Sequence, residues 1–255
     1  MRIESIALTH EGRVRENNED NYFACGKYKK EVLLNRHGTE RNEICEEYLY
    51  AVCDGMGGEA FGERASLIAV EALGEYWKNK SFDINDYVKK TNDKICDEIE
   101  NNSGTRMGTT LAVLYIKDNI AHAYNIGDSR IYLFRKNKLE QISKDHTQTE
   151  RLIRMNIITP EEAKTHPERH KLTQHLGIFP EEIIIEPFET EISVNVGDVF
   201  LLCSDGITDV LCDEGISEIL GIDNPVKESL KMLILKAIKK GGTDNVTAVI
   251  VKVLE

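Results

Sequence analysis

The chain has 255 residues, 41% hydrophobic and 30% charged, the balance of a folded protein with a sizeable core rather than a disordered one. Its 44 acidic side chains against 32 basic ones leave a formal charge of −12. That argues against nucleic-acid or anionic-membrane binding, either of which wants a basic surface, but not against an anionic substrate, because a bound metal can invert the local field.

Taken in chain order, the first segment goes straight into strand-like alternation at residues 3–9, with no apolar leader segment. Residues 26–47 are long, polar and charged, the pattern of an extended hairpin loop with a solvated face. A strand is expected at 48–53. Helical period follows at 63–77, where Ala65, Ile68, Ala69, Ala72 and Tyr76 recur at three- and four-residue steps, and again at 82–99. Four short runs at 108–116, 119–126, 129–134 and 138–142 are rich in β-branched or aromatic residues. The gaps between them are too short for a parallel crossover, which predicts an antiparallel meander. Residues 145–177 hold four of the seven histidines and little β character, and read as a small helical or loop insertion. Strands at 183–193 and 199–203 come next. A helix at 226–238 is opened by Asn224 as N-cap and Pro225 as first helical residue and closed by Gly241-Gly242. The last strand spans 245–253.

No linker or repeat divides the chain, so residues 1–255 read as a single α+β domain, sheets covered by helices. No run approaches the ~18–20 apolar residues of a membrane span. The six cysteines show no CxxC spacing, and Cys53 and Cys203 sit inside apolar strands. Free thiols in a reducing cytoplasm are the expectation.

Five acidic residues share one local setting. Asp54-Gly55 follows the strand ending at Cys53. Ser204-Asp205-Gly206 follows the one ending at Cys203. Gly127-Asp128 follows Ile126, Asp244-Asn245 feeds the last strand, and Glu19-Asp20 stands near the start. Each puts a carboxylate at a strand end beside glycine or asparagine, where backbone can approach a ligand closely. Any one alone is an ordinary turn. Brought together, the five would repel and stay protonated unless cations neutralise them. An all-oxygen set suits Mg2+ or Mn2+ better than Zn2+. A cluster of this size can hold two metals ~3.5–4 Å apart, the geometry for in-line displacement at phosphorus. Arg15, just before the first acidic pair, carries a planar fork that suits a phosphate oxygen pair, although alone it reads as a surface arginine.

The segments Gly12-Arg13-Val14-Arg15-Glu16-Asn17-Asn18-Glu19-Asp20, Asp54-Gly55-Met56-Gly57-Gly58, Gly127-Asp128-Ser129-Arg130, Ser204-Asp205-Gly206 and Gly242-Thr243-Asp244-Asn245 occur in this order. They resemble the signature blocks of the PP2C-type (PPM family) metal-dependent protein serine/threonine phosphatases in their bacterial form. The resemblance implies an α-β-β-α sandwich of two antiparallel sheets flanked by helix pairs, with the metal site at one rim. It implies Asp20, Asp54, the Gly55 carbonyl, Asp205 and Asp244 as ligands of a two-metal Mn2+ or Mg2+ centre, and Asp128 with Asp205 as the pair for a third, weaker ion. Glu19 would bind metal-held water with Asn245 behind it, Arg15 would hold the substrate phosphate, and residues 145–177 would form a flap. A metal-bridging hydroxide would attack phosphorus with no phosphoenzyme, so no cysteine need act as nucleophile. Met56 stands where many eukaryotic members have histidine, and Glu59 offers no imidazole. The proton source is thereby left open between metal-held water and a flap histidine such as His146.

The expected partners are phosphorylated proteins and, by the same resemblance, a bacterial serine/threonine kinase whose action the chain opposes, with no nucleic acid, no membrane insertion and a monomeric state. Three other readings compete. A pseudophosphatase should have lost metal carboxylates. A small-ester phosphohydrolase should show a nucleotide-cradling glycine loop, but residues 55–62 lack the lysine and pattern of a P-loop. A purely structural metal site comes last.

Overall fold

The computed structural model describes residues 1–31, 34–57, 61–80 and 82–255. Gly58 of the expected glycine block and Glu59 just after it lie outside the described residues, as do Val32 and Leu33 in the expected polar loop.

Two six-stranded sheets form the centre of the molecule, and every strand pair in them is antiparallel. The first runs in the order β11 (Lys138–Gln141), β10 (Arg130–Arg135), β13 (Val199–Cys203), β14 (Val246–Val253), β1 (Arg2–His10), β4 (Arg36–Ile44). The second runs β12 (Phe188–Ser193), β9 (Ile120–Ile126), β8 (Leu111–Lys117), β5 (Glu47–Cys53), β2 (Asn21–Ala24), β3 (Lys27–Tyr28). A small ribbon pairs β6 (Gly55–Gly57) with β7 (Met107–Thr109).

Strand alternation decides which side chains meet which layer. On β5, Tyr48, Tyr50 and Val52 enter the core between the sheets, opposite Phe200, Leu202, Val249 and Val251. Leu49, Ala51 and Cys53 face the other way, onto α1 (Phe61–Asn79) and α2 (Ile84–Asn101). The first sheet buries its outer face, including Leu201, Cys203 and Ala248, under α6 (Asp213–Leu220) and α7 (Val226–Lys239). At ~1.5–3 kcal/mol per fully buried large apolar side chain, these three layers are the main stabilising term. The architecture is the expected α-β-β-α sandwich, α+β in class.

Four expectations need correcting. The meander is not continuous: β8 and β9 belong to one sheet and β10 and β11 to the other. The chain changes sheet at Gly127, whose φ of +96° and a would-be Cβ only 2.7 Å from Thr110 Cγ2 demand glycine. A short gap forbids a parallel crossover but cannot tell a hairpin from a change of sheet. The polar stretch 26–47 is no simple loop, since its nine residues 36–44 form β4 along the whole of β1. Finally, α7 begins at Val226 with Pro225 at the capping position, so Asn224 does not cap it. The strand expected at 183–193 starts only at Phe188.

The insertion at 145–177 contains two short helices, α3 (Gln148–Arg154) and α4 (Pro160–Ala163), joined by turns. It is fastened at both ends. Asp145 takes a forked ion pair from Arg130 at 2.7–3.1 Å, and Leu176 is fully buried against α1 and α2. A last short helix, α5 (Asp205–Thr208), follows β13 directly. No helix among the described residues is long and apolar enough to cross a membrane.

Candidate metal centre

Strand register brings the five acids to one rim. Asn21 of β2 pairs with Cys53 of β5, so Asp20 just before β2 and Asp54 just after β5 leave the second sheet side by side. In the first sheet Cys203 lies opposite Ala248, which sets Asp205 beside the start of β14, where Asp244 and Asn245 enter. Arg130 pairs with Cys203, so Asp128 at the change of sheet arrives at the same edge.

Hydrogen bonds from neutral groups hold Asp20, Asp54 and the Glu19 backbone in place. Ser204 Oγ donates to Asp20 Oδ2 at 2.8 Å, and the Asp20 amide donates to Asn18 Oδ1 at 3.1 Å. The Asp54 amide donates to Thr110 Oγ1 at 2.9 Å, while the Thr110 amide and the Thr109 hydroxyl both donate back to the Asp54 carbonyl. Asn245 ties the two sides together: its Oδ1 accepts from the Glu19 amide at 2.8 Å and its Nδ2 donates to the Asn17 carbonyl at 2.8 Å. A Cβ on residue 55 would sit 2.2 Å from the Gly62 carbonyl oxygen and 2.4 Å from that of Glu19, so only glycine lets the backbone pass here. Arg15 reaches in from the rim, half exposed, and donates from Nη2 to Asp244 Oδ2 at 2.8 Å.

The electrostatics are those of a site built for cations. Burial, then the charges of Asp20, Asp205, Asp128 and Asp244, push the Asp54 carboxyl well above the usual range. Asp205 is raised by burial and then by Asp128, Asp209, Asp244 and Asp20. Burial raises Asp128 and Asp20 too, and Glu19 rises to about 7 from burial and the nearby Glu63. Mutually raised carboxylates, Asp20 buried and the others half-buried, without a lysine or arginine for each of them are the donor set that divalent cations neutralise, and hard ions fit its oxygen-only inner group. The residues present fit such ions.

The structure also brings in groups that the sequence did not single out. Ligand atoms of His170, Asp205 and Asp209 all lie within 4.8 Å of one another, with His170 Nδ1 3.6 Å from Asp209 Oδ2. Asp209 lies one helical turn after Asp205, a spacing that was readable, whereas the approach of His170 from the insertion was not. His146, the flap histidine named as one proton source, is tied to the change of sheet at Gly127. It is buried, its Nδ1 accepts from the Gly127 amide at 3.2 Å, and burial lowers its pKa. Cys53 and Cys203 are fully buried in their strands, and burial raises both thiols. They pack beneath the acids.

Comparison with known proteins bears on this rim. The sequence profile described as protein phosphatase 2C matches residues 41–233. Protein phosphatase PhpP of Streptococcus pneumoniae is 34% identical over 263 aligned positions, which cover 99% of this chain and 98% of that protein. The crystal structure of the Mycobacterium tuberculosis serine/threonine phosphatase PstP/Ppp superposes with a TM-score of 0.84 at 34% identity, covering 100% of both chains. The catalytic domain of PstP in complex with two manganese ions gives a TM-score of 0.80 at 34% identity, again over 100% of both chains.

Proposed function

The chain belongs to the protein phosphatase 2C family and is a metal-dependent protein serine/threonine phosphatase, and from that premise we propose the part each of its own residues takes. Asp20, Asp54, Asp205, Asp244 and the Gly55 carbonyl hold two divalent ions, with Mn2+ the first candidate because the related PstP catalytic domain carries two. When bound, such ions supply positive charge against the phosphoryl oxygens and a water acidic enough to attack phosphorus at neutral pH. Arg15, half exposed beside Asp244, turns its fork onto two phosphate oxygens and orients the ester for in-line attack. Glu19, fixed through its amide to Asn245, accepts a proton-bearing water at the edge of the cluster. Asp205 and Asp128 would together hold a third, weaker ion. The close set of His170 and Asp209 supports a further donor group toward residues 145–177, the flap of a single domain spanning 1–255.

Substrates are phosphoserine and phosphothreonine proteins, and the expected partner is a serine/threonine kinase whose action this enzyme reverses. The six free thiols support a reducing compartment, the cytoplasm. The observation that carries the reading is the convergence of five carboxylates from both sheets on one rim, with an arginine paired to one of them. The test is turnover of a phosphothreonine peptide with Mn2+, with EDTA, and by Asp205→Ala. The expected result is Mn2+-dependent release of phosphate, lost in EDTA and at least about 100-fold slower in the variant, because losing a ligand weakens the ions whose charge stabilises the transition state. Metal-independent turnover, or none with Mn2+, overturns it. A higher specificity constant for free nucleotides than for phosphopeptides would move the substrate class to small esters.

A further inference from the structure

Directly behind Asp20 lies a lysine with no access to solvent. Lys29 follows β3, is 1% exposed, and donates from Nζ to the Asn18 carbonyl at 2.5 Å. Its backbone is clamped by Asn21, whose Oδ1 accepts from the Lys29 amide at 3.1 Å and whose Nδ2 donates to the Lys29 carbonyl at 2.9 Å. Asn18 is fully buried as well and is pinned on its far side, its Nδ2 donating to Thr9 Oγ1 and the Asn35 carbonyl. The ammonium is thereby locked to the loop that carries Glu19 and Asp20.

An ammonium in such a place needs a reason. A lysine deprived of water, with one carbonyl as its hydrogen-bond acceptor, is a costly group unless negative charge surrounds it. Three carboxylates do: Asp20, Glu63 and Glu19, in falling order of influence, oppose the burial that lowers this ammonium to about 8. Glu63, in the first turn of α1, is 2% exposed, and its Oε2 has no hydrogen-bond partner among the described residues. Lys29 is a buried cation electrostatically linked to that carboxyl group.

We propose that Lys29 is the protein's own counter-cation for the metal centre, a positioning residue that holds the Glu19–Asp20 loop and Glu63 in the metal-ready arrangement when the ions are absent. The proposal rests on the metal reading of the acidic rim. It has a definite sign. A fixed positive charge offsets carboxylate repulsion in the metal-free protein and repels an arriving divalent ion, so it narrows the stability gap between the two states. Removing the charge widens that gap. Removing a lysine that only filled space or only bonded Asn18 would lower both states equally.

The experiment compares melting temperatures of wild type, Lys29→Met and Lys29→Gln in EDTA and in saturating Mn2+, with Mn2+ affinity measured on the folded metal-free proteins. Glutamine keeps an N–H donor for the Asn18 carbonyl without the charge. The expected result is a larger Mn2+-induced rise in Tm for both variants than for wild type, and Mn2+ binding tighter by roughly tenfold. If Lys29→Met folds only with Mn2+, the metal has replaced the missing cation, as expected. The double variant Lys29→Met/Glu63→Gln should then regain stability in EDTA, because the facing carboxylate is gone. Equal losses of Tm in EDTA and in Mn2+, or a Lys29→Gln protein indistinguishable from wild type, overturn the role of Lys29. No effect of Mn2+ on wild type itself would instead overturn the metal reading, and the proposal with it.

Discussion

A single methyl group on Gly206 tests how rigidly the rim is built. An alanine Cβ there would stand 1.9 Å from the Asn245 carbonyl oxygen and 3.0 Å from its carbonyl carbon. Side-chain Cβ atoms do not approach closer than 3.0 Å, so α5 and the start of β14 must separate by about 1 Å. Those two segments carry Asp205 and Asp244-Asn245, and Asn245 in turn holds the Glu19 amide. The strain alone costs about 1–3 kcal/mol of stability, the usual range for overpacking. A 1 Å misplacement of positioned groups costs on the order of 100-fold in rate. Gly206→Ala is therefore expected to lose about two orders of magnitude in kcat/KM on a phosphothreonine peptide at saturating Mn2+, and to unfold at lower urea. Gly215→Ala is the control. It lies in α6 with only ordinary contacts, 3.6 Å to Lys236 Nζ and 3.8 Å to Cys212 Sγ. That change should leave activity intact and add about 0.5–1 kcal/mol from helix propensity. A Gly206→Ala enzyme within threefold of wild type refutes the argument that this contact sets the geometry of the rim.

Other substitutions probe separate parts of the account. Ser204→Ala removes the buried 2.8 Å bond to Asp20 and the acceptor of the Thr247 amide, and should cost about 1–3 kcal/mol by chemical denaturation while weakening Mn2+ binding. Arg15→Ala should raise KM for phosphopeptides and lower kcat/KM by about 10–100-fold, with Arg15→Lys recovering only part of it because a point charge lacks the fork. Burial lowers the pKa of His10, His37, His146 and His175. Between those lowered values and 6.5 the unfolded chain binds more protons than the folded one, so stability rises with pH and is lost as pH falls from about 6.5. In Mn2+-saturated protein, Tm should drop between pH 7.5 and 5.5, and His146→Gln should shallow that slope. An unchanged slope in the variant would show that His146 is not held neutral.

Sequence and structure agree where one physical signal dominates. Apolar strands such as 48–53 and 199–203 were readable because both their faces are buried, and α1 and α2 because one stripe of each packs on a sheet. The acids were readable because each sits where a strand starts or stops. β4 was hidden for the opposite reason. Its residues 36–44 alternate between exposed and half-buried, with Arg36, His37, Glu40, Arg41 and Glu43 among them. What makes it a strand is backbone pairing with β1 from a sheet edge, which leaves almost no trace in hydrophobicity. The change of sheet at Gly127 and the approach of His170 to Asp209 are long-range events with no local code. Lys29 reads as one more charge in a polar stretch, and only the fold shows it shut inside, behind Asp20.

The central claim is that these carboxylates bind metal together and that catalysis depends on it. Mn2+ bound per chain, counted by calorimetric titration of metal-free protein alongside phosphothreonine-peptide turnover at each point, tests it most directly. At least two ions per wild-type chain are expected, with activity rising with their occupancy and both lost in Asp54→Asn, while the exposed-acid control Glu100→Gln behaves as wild type. Full turnover by metal-free protein, or undiminished binding in Asp54→Asn, would contradict it.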